Sequence, residues 1–196
     1  MTSKLQTPSR DQAFALLREY TQNPSLIKHA LAVEAAMRAY ARKFSEDEEK
    51  WGVVGLLHDF DYERYPDPPN HPLKGAEILA QRGYPEDVIH AIKSHADYLG
   101  VPRLSMMDKA LYAIDELAGF ITAVALVRPS KNIADVTVES VRKKFKDKAF
   151  ARAVKREDIF RGATDMDVDL DVHIQFVIDA MKSAAADLGL DGSASR

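Results

Sequence analysis

The chain has 196 residues, of which 46% are hydrophobic and 29% are charged, and this composition excludes a chain that is disordered throughout. Its formal net charge of −3 gives no basic surface of the kind that binds along a nucleic-acid backbone. Because the chain has no cysteine, disulfides, thiolate ligands and cysteine nucleophiles are excluded, and any metal must bind to histidine and carboxylate. We predict one packed domain over residues 1–196.

The cellular location is predicted from the hydropathy of the chain. No stretch approaches the roughly 18 apolar residues that cross a bilayer, and the segment MTSKLQTPSRDQ lacks the apolar core of a secretion signal. We therefore expect a cytoplasmic protein with no membrane partner and no nucleic-acid partner. The sequence leaves open whether the chain forms a homodimer.

Helical periodicity covers most of the chain, and the first helix starts carry capping signals. A side-chain cap, a capping box or a proline in the first turn marks these starts. They are Ser9 with Gln12, Asn23 with Pro24, and Ser45 with Glu48.

Further along the chain, Pro72 is predicted to open a helix that Gly83 closes, and Pro85 to open the next. Ser105 precedes the longest apolar-rich helix, MMDKALYAIDELAGFITAVALV. No segment shows the sustained alternation of a strand, so we predict an all-α fold.

The C-terminal third is predicted to hold a basic helix over residues 138–156 and a last helix from about Asp171 to Leu188, which Gly189 ends. The predicted organisation is a core over about 23–128, a helical extension over about 129–190 and a disordered tail over 191–196. The segment from Val141 to Arg156 has eight basic residues and one acidic residue. A solvated helix face is the favoured interpretation of this segment, and phosphate binding is the alternative.

Four titratable residues interrupt apolar helix faces. His29 lies within the apolar stripe of the second helix, His58 and Asp59 end the buried run WGVVGLLHDF, and Asp115 lies between ALYAI and LAGFI. An unpaired carboxylate in such surroundings costs several kcal/mol or is forced to protonate. A bound cation removes that cost, so we predict that the four side chains converge on a divalent metal.

The order and spacing of His29, His58-Asp59 and Asp115 resemble the H…HD…D signature of HD-domain metal phosphohydrolases. The resemblance extends from about Leu26 to Phe120 and implies a single-domain helical bundle of the HD type. It also implies a mononuclear or dinuclear metal site. The chain departs from the frequent HDIGK form, because it reads His58-Asp59-Phe60-Asp61-Tyr62 and lacks the lysine.

His71 and His95 look like the additional histidines of the dinuclear branch of this superfamily, in which the HD aspartate, here Asp59, bridges the two metals. The alternatives are a helix cap before Pro72 for His71 and a helix-end histidine for His95. One or two divalent ions are expected, and the sequence does not distinguish Mn, Fe, Co, Mg, Ni and Zn. The remaining histidines, His90 and His173, are interpreted as structural or exposed.

The activity that the resemblance implies is metal-dependent hydrolysis of a small phosphorylated substrate or nucleotide by a metal-activated water, with Asp59 as the central catalytic residue. Lys74, Arg128 and Lys131 are the predicted substrate-binding cations. Two alternatives stay open. One is an HD-type di-iron oxygenase that acts on a small organic or phosphonate substrate, and the other is a non-catalytic nucleotide-binding regulatory module.

Overall fold

The computed structural model describes residues 8–193, and within that range it contains ten α-helices and no strand. The predicted all-α fold is therefore confirmed. No helix in the described range is long and apolar enough to cross a membrane. The helices are α1 (Arg10–Tyr20), α2 (Pro24–Phe44), α3 (Glu48–Leu57), α4 (Asn70–Gln81), α5 (Glu86–Ser94), α6 (Met106–Leu126), α7 (Val138–Phe145), α8 (Arg156–Asp165), α9 (Leu170–Lys182) and α10 (Ala185–Leu188).

Two of the predicted helix starts have the expected caps. The Ser9 hydroxyl accepts a hydrogen bond from the Gln12 backbone at the start of α1, and the Gln12 side chain accepts one from the Ser9 backbone. At α2 the Asn23 side chain accepts from Ser25, and Pro24 occupies the first turn. These local interactions satisfy backbone N–H groups that the helix leaves unpaired.

The predicted capping box at Ser45 and Glu48 is wrong. Ser45 has a left-handed conformation with φ of 58° and ends α2. Asp47 caps α3 instead, because its side chain accepts a hydrogen bond from the Lys50 N–H at 3.0 Å. Ser45 is therefore the end of one helix rather than the start of the next.

The two longest helices, α2 and α6, form the centre of the bundle. Helix α2 packs against α3 and α6, and α6 packs against α8. The contact between α6 and α8 is very close, since a Cβ at Gly162 would lie 2.5 Å from the Ala113 Cα. One hydrophobic core extends from Ala13 to Leu190 and surrounds the middle of α6.

The predicted basic helix over 138–156 is also wrong. Helix α7 ends at Phe145 and α8 begins at Arg156, and the α7–α8 loop (residues 146–155) separates them. Phe145 and Phe150 both contact Phe120 of α6, with ring centroids 4.7 and 5.4 Å away. On one continuous helix these two rings would point about 140° apart, so the chain must turn in order to bury both.

The C-terminal segment also differs from the prediction. The expected last helix is divided into α9 and α10, although Gly189 ends it as predicted, with φ of 67°. Asp191 forms an isolated bridge with Asn132, and the Ser193 N–H donates to the Asp191 side chain. The predicted disorder therefore does not apply to residues 191–193, and residues 194–196 lie outside the described residues.

His173 connects α9 to the centre of the bundle, and we expect it to make stability depend on pH. The Tyr40 hydroxyl is 2.6 Å from His173 Nδ1, and His173 Nε2 is 2.9 Å from the Ala113 carbonyl oxygen. Since that carbonyl can only accept, Nε2 carries the hydrogen and the Tyr40 hydroxyl donates to Nδ1. Burial lowers the pKa of His173.

A lowered histidine pKa means that the unfolded chain binds the proton more readily, so stability falls as the pH drops below about 6.5. The loss is at most about 1.4 kcal/mol per pH unit. We expect denaturant titrations between pH 7.5 and pH 5 to show this loss in the wild type and a smaller loss in His173→Gln. If the unfolding free energy fell equally with pH in the two proteins, His173 would not be the source of the pH dependence.

Candidate metal centre

The six predicted metal ligands come from five parts of the bundle. His29 lies in the first half of α2, and Asp115 lies near the middle of α6. His58 and His95 are the C-cap residues of α3 and α5. Asp59 follows His58, and His71 lies at the start of α4, where its backbone is not helical.

The first candidate cluster consists of His29, His58, Asp59 and Asp115. One ligand atom from each residue lies within 4.8 Å of the others. His29 Nε2 is 3.2 Å from His58 Nε2 and 2.9 Å from Asp115 Oδ1, and His58 Nε2 is 3.4 Å from Asp59 Oδ2. The structure therefore brings together side chains from three widely separated segments of the sequence.

The second candidate cluster consists of Asp59, His71 and His95. The Nε2 atoms of His71 and His95 lie 3.2 and 3.4 Å from Asp59 Oδ1. Asp59 belongs to both clusters, and its two oxygens face opposite ways: Oδ2 faces His58, and Oδ1 faces the other two histidines. This is the arrangement that a bridging carboxylate requires.

The tautomers of two histidines fit metal binding. Nδ1 of His58 lies 2.8 Å from the Gly55 carbonyl, and Nδ1 of His95 lies 2.5 Å from the Ile92 carbonyl. Each carbonyl can only accept, so each Nδ1 carries a hydrogen. In the neutral ring the Nε2 lone pair then faces the cluster. A ring N–H donated to a carbonyl or carboxylate is the usual support of a metal-binding histidine.

The distances between the ligand atoms also fit the binding of a metal ion. Atoms bound about 2.0–2.2 Å from one ion at tetrahedral or octahedral angles lie about 2.9–3.5 Å apart. The distances from His29 Nε2 to His58 and Asp115, 3.2 and 2.9 Å, agree with that range. The residues present therefore fit one or two divalent cations.

The electrostatics of the centre favour bound positive charge. Burial lowers the pKa of His58, but the carboxylates of Asp59 and Asp115 outweigh it and hold the pKa well above its ordinary value. Burial raises the pKa of Asp115, yet the neighbouring histidines hold it well below the usual range. The pKa of Asp59 is held low in the same way, so the two partly buried carboxylates stay ionised and the site can accept a dication.

Asp61 is a candidate supporting residue of the centre that the sequence interpretation missed. It is buried, and its carboxylate accepts hydrogen bonds from His71 Nδ1 at 2.8 Å and from the Gly75 N–H at 2.7 Å. A Cβ at Gly75 would lie 2.8 Å from the Asp61 carboxylate carbon, so this contact requires glycine. The signal in the sequence is an acidic residue directly after the buried run WGVVGLLHDF, at a position where the chain departs from the HDIGK form.

We expect Asp61→Asn to weaken metal binding at His71. The amide has no negative charge to raise the basicity of the ring, and loss of such a supporting group costs about 10- to 100-fold in metal affinity. Metal titration of the purified variant measures the change, with the exposed Asp67→Asn as a matched control. Unchanged affinity at every metal equivalent would show that Asp61 only holds α4 in place.

A pocket of about 370 Å³ opens onto the centre, and Asp59, His71, His95 and Asp115 are among the residues that line it. Two partly exposed tyrosines, Tyr62 and Tyr98, also line it. The Tyr98 hydroxyl donates to the His71 carbonyl at 2.5 Å. A small molecule can therefore reach the candidate ligands from solvent.

None of the three predicted substrate-binding cations lies among the described residues that line this pocket. The Lys74 side chain is partly exposed and pairs with Glu77 at 2.8 Å. Arg128 and Lys131 follow the end of α6, which lies about 16 Å along the helix from Asp115. Closeness to a ligand in the sequence was a poor guide here, because a helix carries its next residues away from the site.

Lys155 is the only lysine or arginine among the described lining residues of the pocket. It lies at the end of the α7–α8 loop, close to Glu116. Burial and the Asp115 carboxylate raise the pKa of Glu116 to about 7.

The two histidines excluded from the site have other partners, since His90 Nδ1 is 3.1 Å from Asp108 and His173 bonds to Tyr40 and Ala113.

The protein is an all-α bundle in which a partly buried cluster of histidine and aspartate lies at the base of a pocket. It therefore belongs to the class of helical proteins with a candidate metal centre. Residues 26–119 match the family model of the HD domain. This match confirms the resemblance predicted from His29, His58-Asp59 and Asp115. HD domains belong to a superfamily of the metal-dependent phosphohydrolase type. Comparisons with curated proteins and with solved structures gave no match.

Proposed function

We propose that the protein is a metal-dependent phosphohydrolase that acts on a small phosphorylated substrate or nucleotide. The observation that carries the proposal is the position of Asp59, whose two oxygens face two groups of histidines at the base of an open pocket. Catalytic metal centres are built in this way, with ligands on rigid elements and an open side for substrate.

In this proposal His29, His58 and Asp115 would hold one divalent cation, His71 and His95 would hold the second, and Asp59 would belong to both ligand sets. Such cations polarise a phosphoryl oxygen and lower the pKa of bound water. The described residues that line the pocket include no serine or threonine, which supports water as the nucleophile. A centre with only one ion would leave His71 and His95 as pocket-lining residues.

The pocket supports a small substrate rather than a nucleic acid. Five carboxylates line it, which would repel a long phosphate backbone wherever metal does not offset them. These are Asp59, Asp97, Asp115, Glu116 and Asp158. We therefore propose a substrate whose phosphate reaches the metal centre and whose remaining part stays near the mouth of the pocket.

The decisive experiment screens nucleotides and phosphate esters anaerobically with protein loaded with Mn²⁺, Co²⁺ or Fe²⁺, beside O₂-uptake measurements on the iron-loaded protein. We expect phosphate or nucleotide release at an undiminished rate without O₂. Strictly O₂-dependent turnover with no ester hydrolysis would replace the proposal by a di-iron oxygenase. Nucleotide binding with no turnover under either condition would indicate a regulatory module.

A further inference from the structure

The α7–α8 loop carries basic side chains whose charges are not balanced within the described part of the chain. Four of them are exposed and form no ion pair with any described residue. They are Lys146, Lys148, Arg152 and Lys155. Arg142 on α7, by contrast, lies 3.2 Å from Asp171. The unbalanced charge therefore concentrates in the loop rather than along a solvated helix face.

Arg156 fixes the path of this loop. Its guanidinium donates to four backbone carbonyls of the loop: those of Ala151 and Val154 at 3.3 and 3.1 Å, that of Asp147 at 3.1 Å, and that of Phe150. The guanidinium also lies 5.0 Å from the centroid of the Phe120 ring on α6. The planar group with five donors suits such a multiple contact, which lysine cannot reproduce.

The end of the fixed loop lies at the metal pocket. Ala153 and Lys155 line the pocket, and the Lys155 N–H donates to Glu116 Oε2 at 3.2 Å. Glu116 directly follows Asp115. The backbone of the loop is therefore attached to the same turn of α6 that supplies a candidate metal ligand, which fixes the origin of the Lys155 side chain relative to the centre.

Apart from Glu116, with which Lys155 interacts electrostatically, the carboxylates of the pocket already have a cation or belong to the metal centre. Arg161 lies 2.7 Å from Asp97 and 2.8 Å from Asp158, so these two carboxylates already have a cation. Asp59 and Asp115 belong to the metal centre. The Lys155 ammonium forms no ion pair within 4.0 Å with a described carboxylate, and Lys155 is among the residues that line the pocket.

We propose that Lys155 binds a second anionic group of the substrate, a phosphate or carboxylate distinct from the phosphate at the metal centre, and that Arg156 is the positioning residue for this contact. The inference rests on the proposed phosphohydrolase function and specifies its substrate class. The preferred substrate is a phosphate ester that carries a further negative charge a few bonds from the ester.

The test measures binding to the Mn²⁺-loaded full chain by calorimetry, with glycerol 3-phosphate and 3-phosphoglycerate as probes. These compounds are similar in size, but only the second has an additional carboxylate. We expect the wild type to bind 3-phosphoglycerate more tightly. Lys155→Gln should weaken that binding by about 10- to 100-fold, the range of a charged hydrogen bond, and should leave glycerol 3-phosphate nearly unaffected. Lys143→Gln, which removes the same charge on α7, should bind both probes like the wild type.

Arg156→Lys separates positioning from charge, because it keeps the positive charge but loses the contacts with the carbonyls. It should weaken 3-phosphoglycerate binding and raise amide hydrogen exchange over residues 147–155, also without metal. An unchanged thermal midpoint would show that the bundle stays folded.

Wild-type protein without a preference between the probes, or equal losses for both probes in Lys155→Gln, would overturn the inference. Protein that hydrolyses no ester but binds 3-phosphoglycerate through Lys155 would overturn only the proposed function. Ester hydrolysis with unaltered probe binding in Lys155→Gln would overturn only the role of Lys155.

Discussion

Replacement of Asp59 by alanine should abolish metal binding and turnover together while the helical fold persists. Asp59 Oδ2 lies 3.4 Å from His58 Nε2, and Oδ1 lies 3.2 Å from His71 Nε2, so one substitution removes a ligand from both clusters. The loss of a shared carboxylate leaves each cation with fewer ligands and less negative charge, and both effects reduce affinity.

Elemental analysis of the purified variant measures the bound metal, and circular dichroism measures the helical content. Asp179→Ala is a suitable control, because Asp179 pairs on the surface of α9 with Lys182 at 2.9 Å. It should keep full metal content and activity. Full metal stoichiometry in Asp59→Ala would show that the His58-Asp59 pair is a chance dipeptide and not part of a metal centre.

The second large effect concerns the number of metal ions. His71→Ala and His95→Ala should each remove about one metal equivalent and leave the ion at His29, His58 and Asp115 partly occupied. The reason is geometric, since both histidines approach Asp59 Oδ1, whereas His58 approaches Oδ2. His29→Ala should have the opposite effect and deplete the first cluster.

Metal content and activity must be measured on the same preparations, because partial occupancy distinguishes the two clusters. His90→Ala is the matched control, since His90 contacts Asp108 at 3.1 Å and belongs to neither cluster. If the wild type bound one equivalent of metal and His71→Ala bound the same amount, His71 and His95 would have capping and pocket-lining roles instead.

The sequence by itself determined the fold class and the HD resemblance. Helix starts such as Ser9 and Asn23 were predictable because a cap and the helix it starts are neighbours in the chain. His29, His58 and Asp115 were recognisable because a titratable group within an apolar stripe has a high desolvation cost, which the sequence pattern already reveals. Local chemistry was sufficient for these conclusions.

Only the tertiary structure decided which residues surround the centre. Asp61 contacts His71 because the start of α4 packs against the segment that follows α3, and no periodicity encodes that path. The break between α7 and α8 arises because Phe145 and Phe150 both pack on Phe120, which is a long-range requirement. That break places Lys155 at the pocket, whereas Lys74, Arg128 and Lys131, which are closer in sequence to the candidate ligands, do not line it. Contacts between distant segments depend on how the helices pack, so their partners could not be found from spacing along the chain.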